Sequence, residues 1–564
     1  MAELQIWMLN SQYIHASPAP WCLKAGVAQY ARRPHRVAIV EGTVNESADT
    51  LAARLTTDPA PIYGFCCCIW NITVVRRLVR RLRAVRPDAY IIYGGPEASF
   101  RVAELLRDDP IDAVICGAGE RPLAALLDAL DGDRAAIPEI PGVWRCVDGA
   151  VRGGAAECAR ELPEPPDDAA YADALHGRIA YLESSRGCPF SCAFCLSGRN
   201  EPVRFRPIAE TERRLEELAN RGARTIKLID RTFNCNPART YELLDFLIRE
   251  CGRSYPADVR FHFEVAADLF DDRTILRLAD APRGLFQMEA GIQSFHADTL
   301  AAVSRKTDTD RLEQRLRTLI GLGNMHIHVD LIAGLPYEDE VRFGESFDRA
   351  YALQPQMLQF GFLKLLYGSR LREQAEEYGF TSSPEPPYEI RSTRWLTPDA
   401  LDRLRRTADA LDRIYNSGRF LETAAYLLRA TGWTPFRLYT ALGARIACTG
   451  QSAALDVYTA QLHDAAAALP GVTADALRSA MVRDRLAAVR GGKLPDVLRV
   501  PDRRLPAVLH DARRRLGIPA DALGVAILYD GEVRVATADY RVPDAISGRY
   551  PISEYSLAEF QISY

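Results

Sequence analysis

Short, almost wholly apolar runs recur along the first two thirds of the chain, each followed by a stretch with helical spacing. Such a run has no polar face to offer water, so it suits a strand covered on both sides. Strands joined through helices run parallel. In residues 1–145 these runs are Leu4–Leu9, Val37–Val40, Pro61–Ile69, Ala89–Tyr93 and Ile111–Cys116. They predict an open, parallel α/β sheet whose ligand site lies outside the carboxyl ends of the strands. A second series follows at Ile179–Glu183, Thr225–Leu228, Arg260–Val265, Phe286–Ala290, His326–Ala333 and Met357–Leu363. Six βα units are too few for a closed eight-stranded barrel. An open, partial (β/α)6 TIM barrel is therefore expected, with function at its C-terminal face.

With 564 residues, the chain has room for about three or four domains. The divisions read as 1–145 for the first sheet, 146–178 for a hairpin and linker, 179–380 for the partial barrel and 390–564 for a smaller, mostly helical accessory domain. The hairpin signal is Asp148-Gly149, and the linker Glu161-Leu162-Pro163-Glu164-Pro165-Pro166 is too proline-rich for helix or central strand. A second proline-rich joint spans Ser382–Pro387. Beyond it, Leu401, Leu404, Ala408, Leu411 and Tyr415 trace one helical face that Gly418 could end, and Asp530-Gly531 signals a late hairpin. This last region carries no motif assignable to chemistry. The net charge of -4 argues against a general nucleic-acid partner. No apolar run approaches the ~20 residues of a membrane span, and the polar start lacks the shape of a signal peptide. Thirteen cysteines in a chain of this kind favour metal or redox chemistry over a disulfide framework, and the expected location is cytoplasmic.

The most specific signal is Cys188-Pro-Phe-Ser-Cys192-Ala-Phe-Cys195, just after the first barrel strand. Three thiolates so close together suit three irons of a [4Fe–4S] cube and leave the fourth iron open to another ligand. A four-cysteine zinc site would normally show two CxxC pairs, and no second pair exists. The CxxxCxxC spacing, with an aromatic before the last cysteine, resembles the radical S-adenosylmethionine (SAM) superfamily. That resemblance implies that SAM binds the open iron through its amino and carboxylate groups, and that a cluster electron cleaves it to a 5′-deoxyadenosyl radical. It also assigns cofactor contacts. Asp230, in Leu228-Ile229-Asp230-Arg231-Thr232-Phe233, looks like an acidic substitute for the motif that binds the SAM amino group. Glu264 and Glu289 end the third and fourth barrel strands, Glu289 within Gln287-Met288-Glu289-Ala290-Gly291-Ile292-Gln293-Ser294. Carboxylates there could hold the SAM ammonium or ribose hydroxyls. Arg305 could meet the SAM carboxylate, and Gly334-Leu335-Pro336 matches a backbone contact to adenine. Taken singly, a strand-end carboxylate is as often an ion-pair partner.

The first domain resembles the Rossmann-like cobalamin (B12)-binding domain that precedes the radical SAM barrel in a large subfamily, which includes carbon methyltransferases and a porphyrin-ring cyclase. Its matching pieces are Tyr93-Gly94-Gly95-Pro96-Glu97 and Gly117-Ala118-Gly119-Glu120. Asn10-Ser11-Gln12-Tyr13-Ile14-His15 and Cys68-Ile69-Trp70-Asn71 point to a branch with an uncharacterised C-terminal domain. Glycine in these turns lets backbone approach a nucleotide or phosphate closely. No DxHxxG run supplies a cobalt-ligating histidine, and His15 reads as a packed or hydrogen-bonding loop residue. Trp70, with Asn71 beside it, is the candidate to cover the lower axial face of cobalt, against the alternative of a core aromatic. Cys66-Cys67-Cys68 alternate across a strand and so cannot converge on one metal, and buried thiols of this kind serve as small hydrophobes.

The resemblance implies an enzyme with three cofactors, a [4Fe–4S] cluster, SAM and cobalamin, that uses methylcobalamin to methylate a small-molecule or natural-product precursor, most simply at carbon. An external donor of the flavodoxin or ferredoxin type would supply electrons, and a monomer is expected. The alternative keeps the scaffold and changes the reaction, to ring rearrangement or transfer of another SAM-derived group such as aminocarboxypropyl. RNA modification is opposed by the acidic balance. A corrinoid sensor with a structural cluster would leave the strand-end carboxylates without a role.

Overall fold

A computed structural model describes residues 2–132, 137–155, 162, 169–197, 202–446, 454–491 and 493–560. The chain divides into two compact units. The first holds Met1–Asp280, Val303–Lys306 and Lys364–Ile390, and the second Ala281–Ala302, Thr307–Leu363 and Arg391–Tyr564.

The first unit opens with the expected parallel sheet. Its strands are β1 (Glu3–Asn10), β2 (Arg36–Thr43), β3 (Ile62–Cys66), β4 (Tyr90–Gly94) and β5 (Ala113–Ile115). The hairpin β6 (Val143–Val147) and β7 (Ala150–Gly153) turns at Asp148-Gly149, both with positive φ. It does not stand apart in a linker. Strand β6 pairs antiparallel with β5, giving a seven-stranded sheet of order β2-β1-β3-β4-β5-β6-β7. Alternate side chains feed two cores. Trp7, Leu9, Tyr63, Phe65, Ile91 and Tyr93 pack on one face, and Leu4, Ile6, Met8, Ile62 and Ile92 on the other. The helix Ile72–Val85 buries Val75, Leu78, Val79 and Leu82. Its basic side is also committed, because Arg76 and Arg80 hold the buried Asp109, and Arg83 holds Asp112.

Strand β3 stops three residues before the expected Ile69. The Cys67 N–H donates to Gly94 O at 2.7 Å, and the Asn71 side chain accepts from Cys68 N at 2.8 Å, folding the chain into a turn. Cys66 and Cys67 then pack into opposite cores, as alternation requires. Burial pushes the Cys66 thiol up to about 12.

Next come six βα repeats, three per unit. In the first unit β8 (Ala180–Leu182) is followed by a two-residue antiparallel pair, β9 (Ser185–Arg186) with β10 (Arg204–Phe205). Strands β11 (Thr225–Leu228) and β12 (Arg260–Val265) complete this group, with β11 lying parallel to both β8 and β12. In the second unit β13 (Phe286–Gln293), β14 (His326–Ala333) and β15 (Met357–Phe362) form a parallel ladder. Asn236, Asp271, Asp308 and Asp339 cap the helices that follow β11 to β14, each accepting an N–H from the first turn. The rest of the second unit is mostly helical. The helix Pro398–Leu411 runs on through 412–416 before Gly418, whose φ is +68°. The late hairpin gains a third strand, Ile552–Ser556, paired antiparallel with Arg534–Asp539. Among the described residues, no helix is long and apolar enough to cross a membrane.

The two glycines ending β4 are not equivalent. Gly95 has φ +103°, and a Cβ there would sit 2.6 Å from Cys67 O, whereas a Cβ on Gly94 would meet nothing closer than 3.8 Å. Gly95→Ala should therefore cost roughly 2 kcal/mol or more and lower the thermal midpoint, while Gly94→Ala should leave it nearly unchanged. Thermal unfolding of the two variants followed by circular dichroism checks this pair.

Candidate functional site

The cysteine loop lies wholly in the first unit. Asp230, at the end of β11, is 1% exposed. Its carboxylate accepts from Ser184 N at 2.7 Å, Ser185 N at 2.9 Å and the Ser184 hydroxyl at 2.6 Å. Both oxygens are thus engaged by the chain that leads into the cysteines. Asp230 therefore positions the loop. Burial raises its pKa, and these hydrogen bonds oppose the rise. Gly187, with φ +101°, turns the chain out of β9 toward Cys188.

The three motif thiols are partly exposed and free. Cys188 Sγ lies 3.5 Å from Thr232 Oγ1, and Cys195 Sγ accepts from Ser197 N at 3.4 Å. Burial raises the Cys192 pKa, and the nearby Cys195 and Cys188 raise it further. Arg305, with Nη1 3.8 Å from the sulfur, pulls it down. Ala193 anchors the middle of the loop, donating to Val303 O at 2.8 Å and accepting from Leu371 N at 3.0 Å. Three soft donors, close enough to feel one another's charge beside one guanidinium, are a donor set that fits an iron–sulfur cluster. Spacing gave no sign of Cys235, which lies near Cys188 and Asp230 and whose thiol burial pushes up to about 11.

Of the other expected SAM contacts, Arg305 and Glu264 belong to this unit. Glu264 is half-buried and pairs with Lys227 Nζ at 3.4 Å across β11 and β12. The second unit holds Glu289, Gly334 and Pro336. Glu289 on β13 is registered opposite His328 on β14, and ligand atoms of Glu289, His328 and Asp330 all lie within 4.8 Å of one another. His328 Nε2 is 2.8 Å from Asp330 Oδ1. Sequence reading passed over His328 and Asp330. The available signal was a polar residue at every second position of a strand expected to be buried on both faces. Gly334 has φ +96°, and Gly334, Leu335 and Pro336 are all buried. Two positions later, the buried Glu338 accepts from the Ser294 hydroxyl at 2.6 Å and the Ser346 hydroxyl at 3.2 Å. It ties the end of β13 to the loop after β14, another positioning role the sequence did not announce.

In the first sheet the expected cofactor residues separate into two kinds. Trp70 is 48% exposed, so it is not a core aromatic, and its Nε1–H donates to Leu9 O at 3.1 Å. With that N–H engaged, the exposed ring offers an apolar surface suited to a large flat ligand. Gly94 and Gly117 leave backbone accessible on the same edge, Gly117 with φ +72°. Asn71, Glu97 and Glu120 instead serve the protein. Asn71 is fully buried, and its side-chain N–H groups reach Leu9 O and Cys66 O. Glu97 accepts from the Tyr388 hydroxyl at 2.6 Å, and Glu120 pairs with Arg186 Nη2 at 2.9 Å. Gly119 faces inward, since a Cβ there would sit 2.9 Å from Leu23 Cδ2. His15 hydrogen-bonds the Tyr181 hydroxyl at 2.6 Å.

Comparison with known proteins gives three matches along the chain. Residues 19–127 match the B12 binding domain, residues 182–350 the radical SAM superfamily, and residues 376–498 a protein family of unknown function, DUF4080. An uncharacterized methyltransferase, PH0819, of Pyrococcus horikoshii is 25% identical over 62% of this chain and 77% of its own length. The cobalamin-dependent radical SAM methyltransferase TokK of Streptomyces tokunonensis is 26% identical over 60% of this chain. That alignment spans about half of TokK, 52%. The fold is shared with the cobalamin-dependent SAM radical enzyme OxsB, solved with aqua-cobalamin and SAM bound. The TM-score is 0.61 at 12% identity, over 86% of this chain and 79% of OxsB.

Two outcomes follow from the positioning residues. Asp230→Ala should remove the anchor of the cysteine loop, so iron retained per chain after anaerobic reconstitution should fall to less than about half while the first sheet is undisturbed. For Glu338, burial lifts the carboxyl to about 7. An acid whose folded pKa is raised holds its proton longer when folded than when unfolded. Its contribution to stability therefore falls as pH climbs from the ordinary value near 4.5 to about 7, and is flat above. Glu338→Gln escapes that loss, and its stability gain over the parent should grow from nothing near pH 4 toward about 3 kcal/mol at pH 8. Thermal midpoints of both proteins across that range test the sign.

Proposed function

We propose that this chain, a member of the radical SAM superfamily with a B12-binding domain, is a cobalamin-dependent methyltransferase that acts at carbon on a small-molecule or natural-product precursor. The observation that carries this reading is the pairing, in one compact unit, of a three-thiol loop, with Arg305 beside Cys192, and a glycine-edged sheet that presents Trp70. When bound, the cluster supplies an electron for reductive SAM cleavage and cobalamin supplies a methyl carrier. The domains are taken as 1–145, 179–380 and 390–564, joined by 146–178. The electron donor is an external flavodoxin or ferredoxin, and the enzyme works in the cytoplasm as a monomer.

In this reading Cys188, Cys192 and Cys195 hold the cluster. Arg305 neutralises the SAM carboxylate, and its guanidinium would also lower the energy of the nearby Cys192 thiolate. Glu264 and Glu289 accept from the SAM ammonium or ribose hydroxyls, and Gly334 to Pro336 present backbone to the adenine. Trp70 and the backbone at Gly94, Gly95 and Gly117 bind cobalamin. The exposed Trp70 ring would present an apolar surface to the corrin, and His15, the histidine of the first loop, is bonded to the Tyr181 hydroxyl. The second reading, a non-methylating SAM reaction on the same scaffold, keeps every cofactor and changes the product.

Anaerobic protein supplied with cobalamin should give a base-off cob(II)alamin EPR signal beside a [4Fe–4S]⁺ signal that changes when SAM is added. Under reducing conditions it should release S-adenosylhomocysteine. Methylthioadenosine in its place would move the aminocarboxypropyl reading ahead, and a cluster signal without retained cobalt would end the cobalamin-dependent one. In Trp70→Ala the cob(II)alamin spectrum should change; an unaltered spectrum would remove Trp70 from the site.

A further inference from the structure

The segment 364–390, which closes the first unit and contains the start of the domain of unknown function, touches the two loops on which the proposed chemistry depends. At one end it meets the cysteine loop. Leu371 N donates to Ala193 O at 3.0 Å, and the Arg370 guanidinium donates to Ser191 O. At the other end it meets the loop after β4. The Tyr388 hydroxyl donates to Glu97 Oε2 at 2.6 Å and accepts from Arg101 Nη1 at 2.9 Å. Gly368, with φ +83°, lies so close to Phe100 that a Cβ would sit 2.3 Å from its ring. Arg101 and Arg372 stack on the Tyr367 ring at 4.4 and 3.6 Å, and Leu365 N donates to Tyr388 O at 3.0 Å, closing the segment on itself.

Tyr388 is the centre of this arrangement. It is fully buried, and its φ of +57° places a large side chain in the left-handed region. A bulky residue keeps that backbone only where its surroundings over-determine it. Its hydroxyl links a buried carboxylate to a buried guanidinium, and both belong to the loop that follows Gly94-Gly95. Burial and the adjoining Glu97 raise its pKa, so it stays a donor.

We propose that segment 364–390 is a strap that sets the spacing between the β4 loop and the cysteine loop, with Tyr388 as the positioning residue for methyl transfer. This rests on the function proposed above and gives the opening stretch of the domain of unknown function a role, to hold the cobalamin loop in its binding form against the cluster. Tyr388→Phe deletes one oxygen and keeps the ring. Glu97→Gln keeps an acceptor of the same shape and should show an intermediate effect. Each is reconstituted anaerobically with iron and sulfide and supplied with hydroxocobalamin. Four quantities are compared with the parent: iron per chain, hydroxocobalamin affinity, SAM cleavage to 5′-deoxyadenosine, and the cob(II)alamin-to-cluster distance by pulsed EPR.

In Tyr388→Phe the iron content and SAM cleavage should match the parent. Cobalamin affinity should fall roughly tenfold, the scale of a lost hydrogen bond to a charged group, and the distance distribution should broaden. Unchanged affinity and distance would overturn the strap while leaving the proposed function standing. Loss of iron in parallel would also overturn it, making Tyr388 a general element of the fold. A parent protein that takes up no cobalt would overturn the function and the strap together. If Tyr388→Phe does not fold, the same comparison on Glu97→Gln decides.

Discussion

A buried carboxylate at the end of a barrel strand sets the start of the chain's reactive loop. Asp230 receives two backbone amides and one hydroxyl from Ser184 and Ser185, so residues that would otherwise leave β8 as free coil begin at a fixed point. Burying a carboxylate is costly, and the charge-assisted bonds offset that cost only while all three remain. From there the β9–β10 pair and the left-handed Gly187 determine the direction of the chain into Cys188. Metal ligands must be held to within about half an ångström to be useful. Here the precision comes from backbone bonds before and within the motif, at Ser184 and Ser185 and at Ala193.

The same economy governs the carboxyl edge of the first sheet. Glu97 follows β4 and Glu120 follows β5, the strand ends at which open α/β sheets bind ligands. Both side chains are engaged by the protein. Glu97 meets Tyr388 and Arg101, and Glu120 meets Arg186, two residues before the first cluster cysteine. The loop after β1 is held as well, with Arg178 donating to Tyr13 O at 2.8 Å and pairing with Glu41, and His15 bonded to Tyr181. Buried charges of this kind are weak stabilisers in sum, yet losing one partner strands the other, which makes them selective about geometry.

What the residues revealed unaided was the part governed by period and spacing. Near-continuous apolar runs placed the five parallel strands of the first sheet, because a strand covered on both faces has little other composition open to it, and strand-length runs separated by helical stretches placed the six that follow, although polar residues interrupt β12 and β14. Three cysteines in eight residues marked the loop after β9 as the strongest candidate for metal chemistry. Strand ends were less legible. Cys67 and Cys68 are apolar enough to continue β3, and the Asn71 side chain, accepting from Cys68 N, turns the chain there instead. The residues also gave no sign of the protein partners that carboxylates at ligand-facing strand ends have found. Asp230, Glu97 and Glu120 have the right type in the right place, and their partners lie between 45 and 291 residues away in the chain, apart from Arg101, four residues from Glu97. The hairpin β6–β7 carried its own turn signal but no sign that Val143 and Trp144 would extend the sheet.

At the carboxyl edge of that sheet, the loop after β3 differs in kind from those after β1, β4 and β5. Its bonds run backward, from Trp70 and Asn71 to Leu9 O and from Asn71 to Cys66 O, so it is braced against its own sheet. That bracing fixes Trp70 while leaving nearly half of it exposed. An indole held rigid with its N–H already satisfied gains nothing from water on its face, and covering that face with an apolar surface releases the water at no further cost in order. The loops after β1, β4 and β5 secure the sheet to the barrel segments of the first unit, and the loop after β3 keeps a preformed aromatic surface. A flat macrocycle laid across that edge would find its contact already ordered, which is the condition under which binding free energy is least eroded by the cost of arranging the protein.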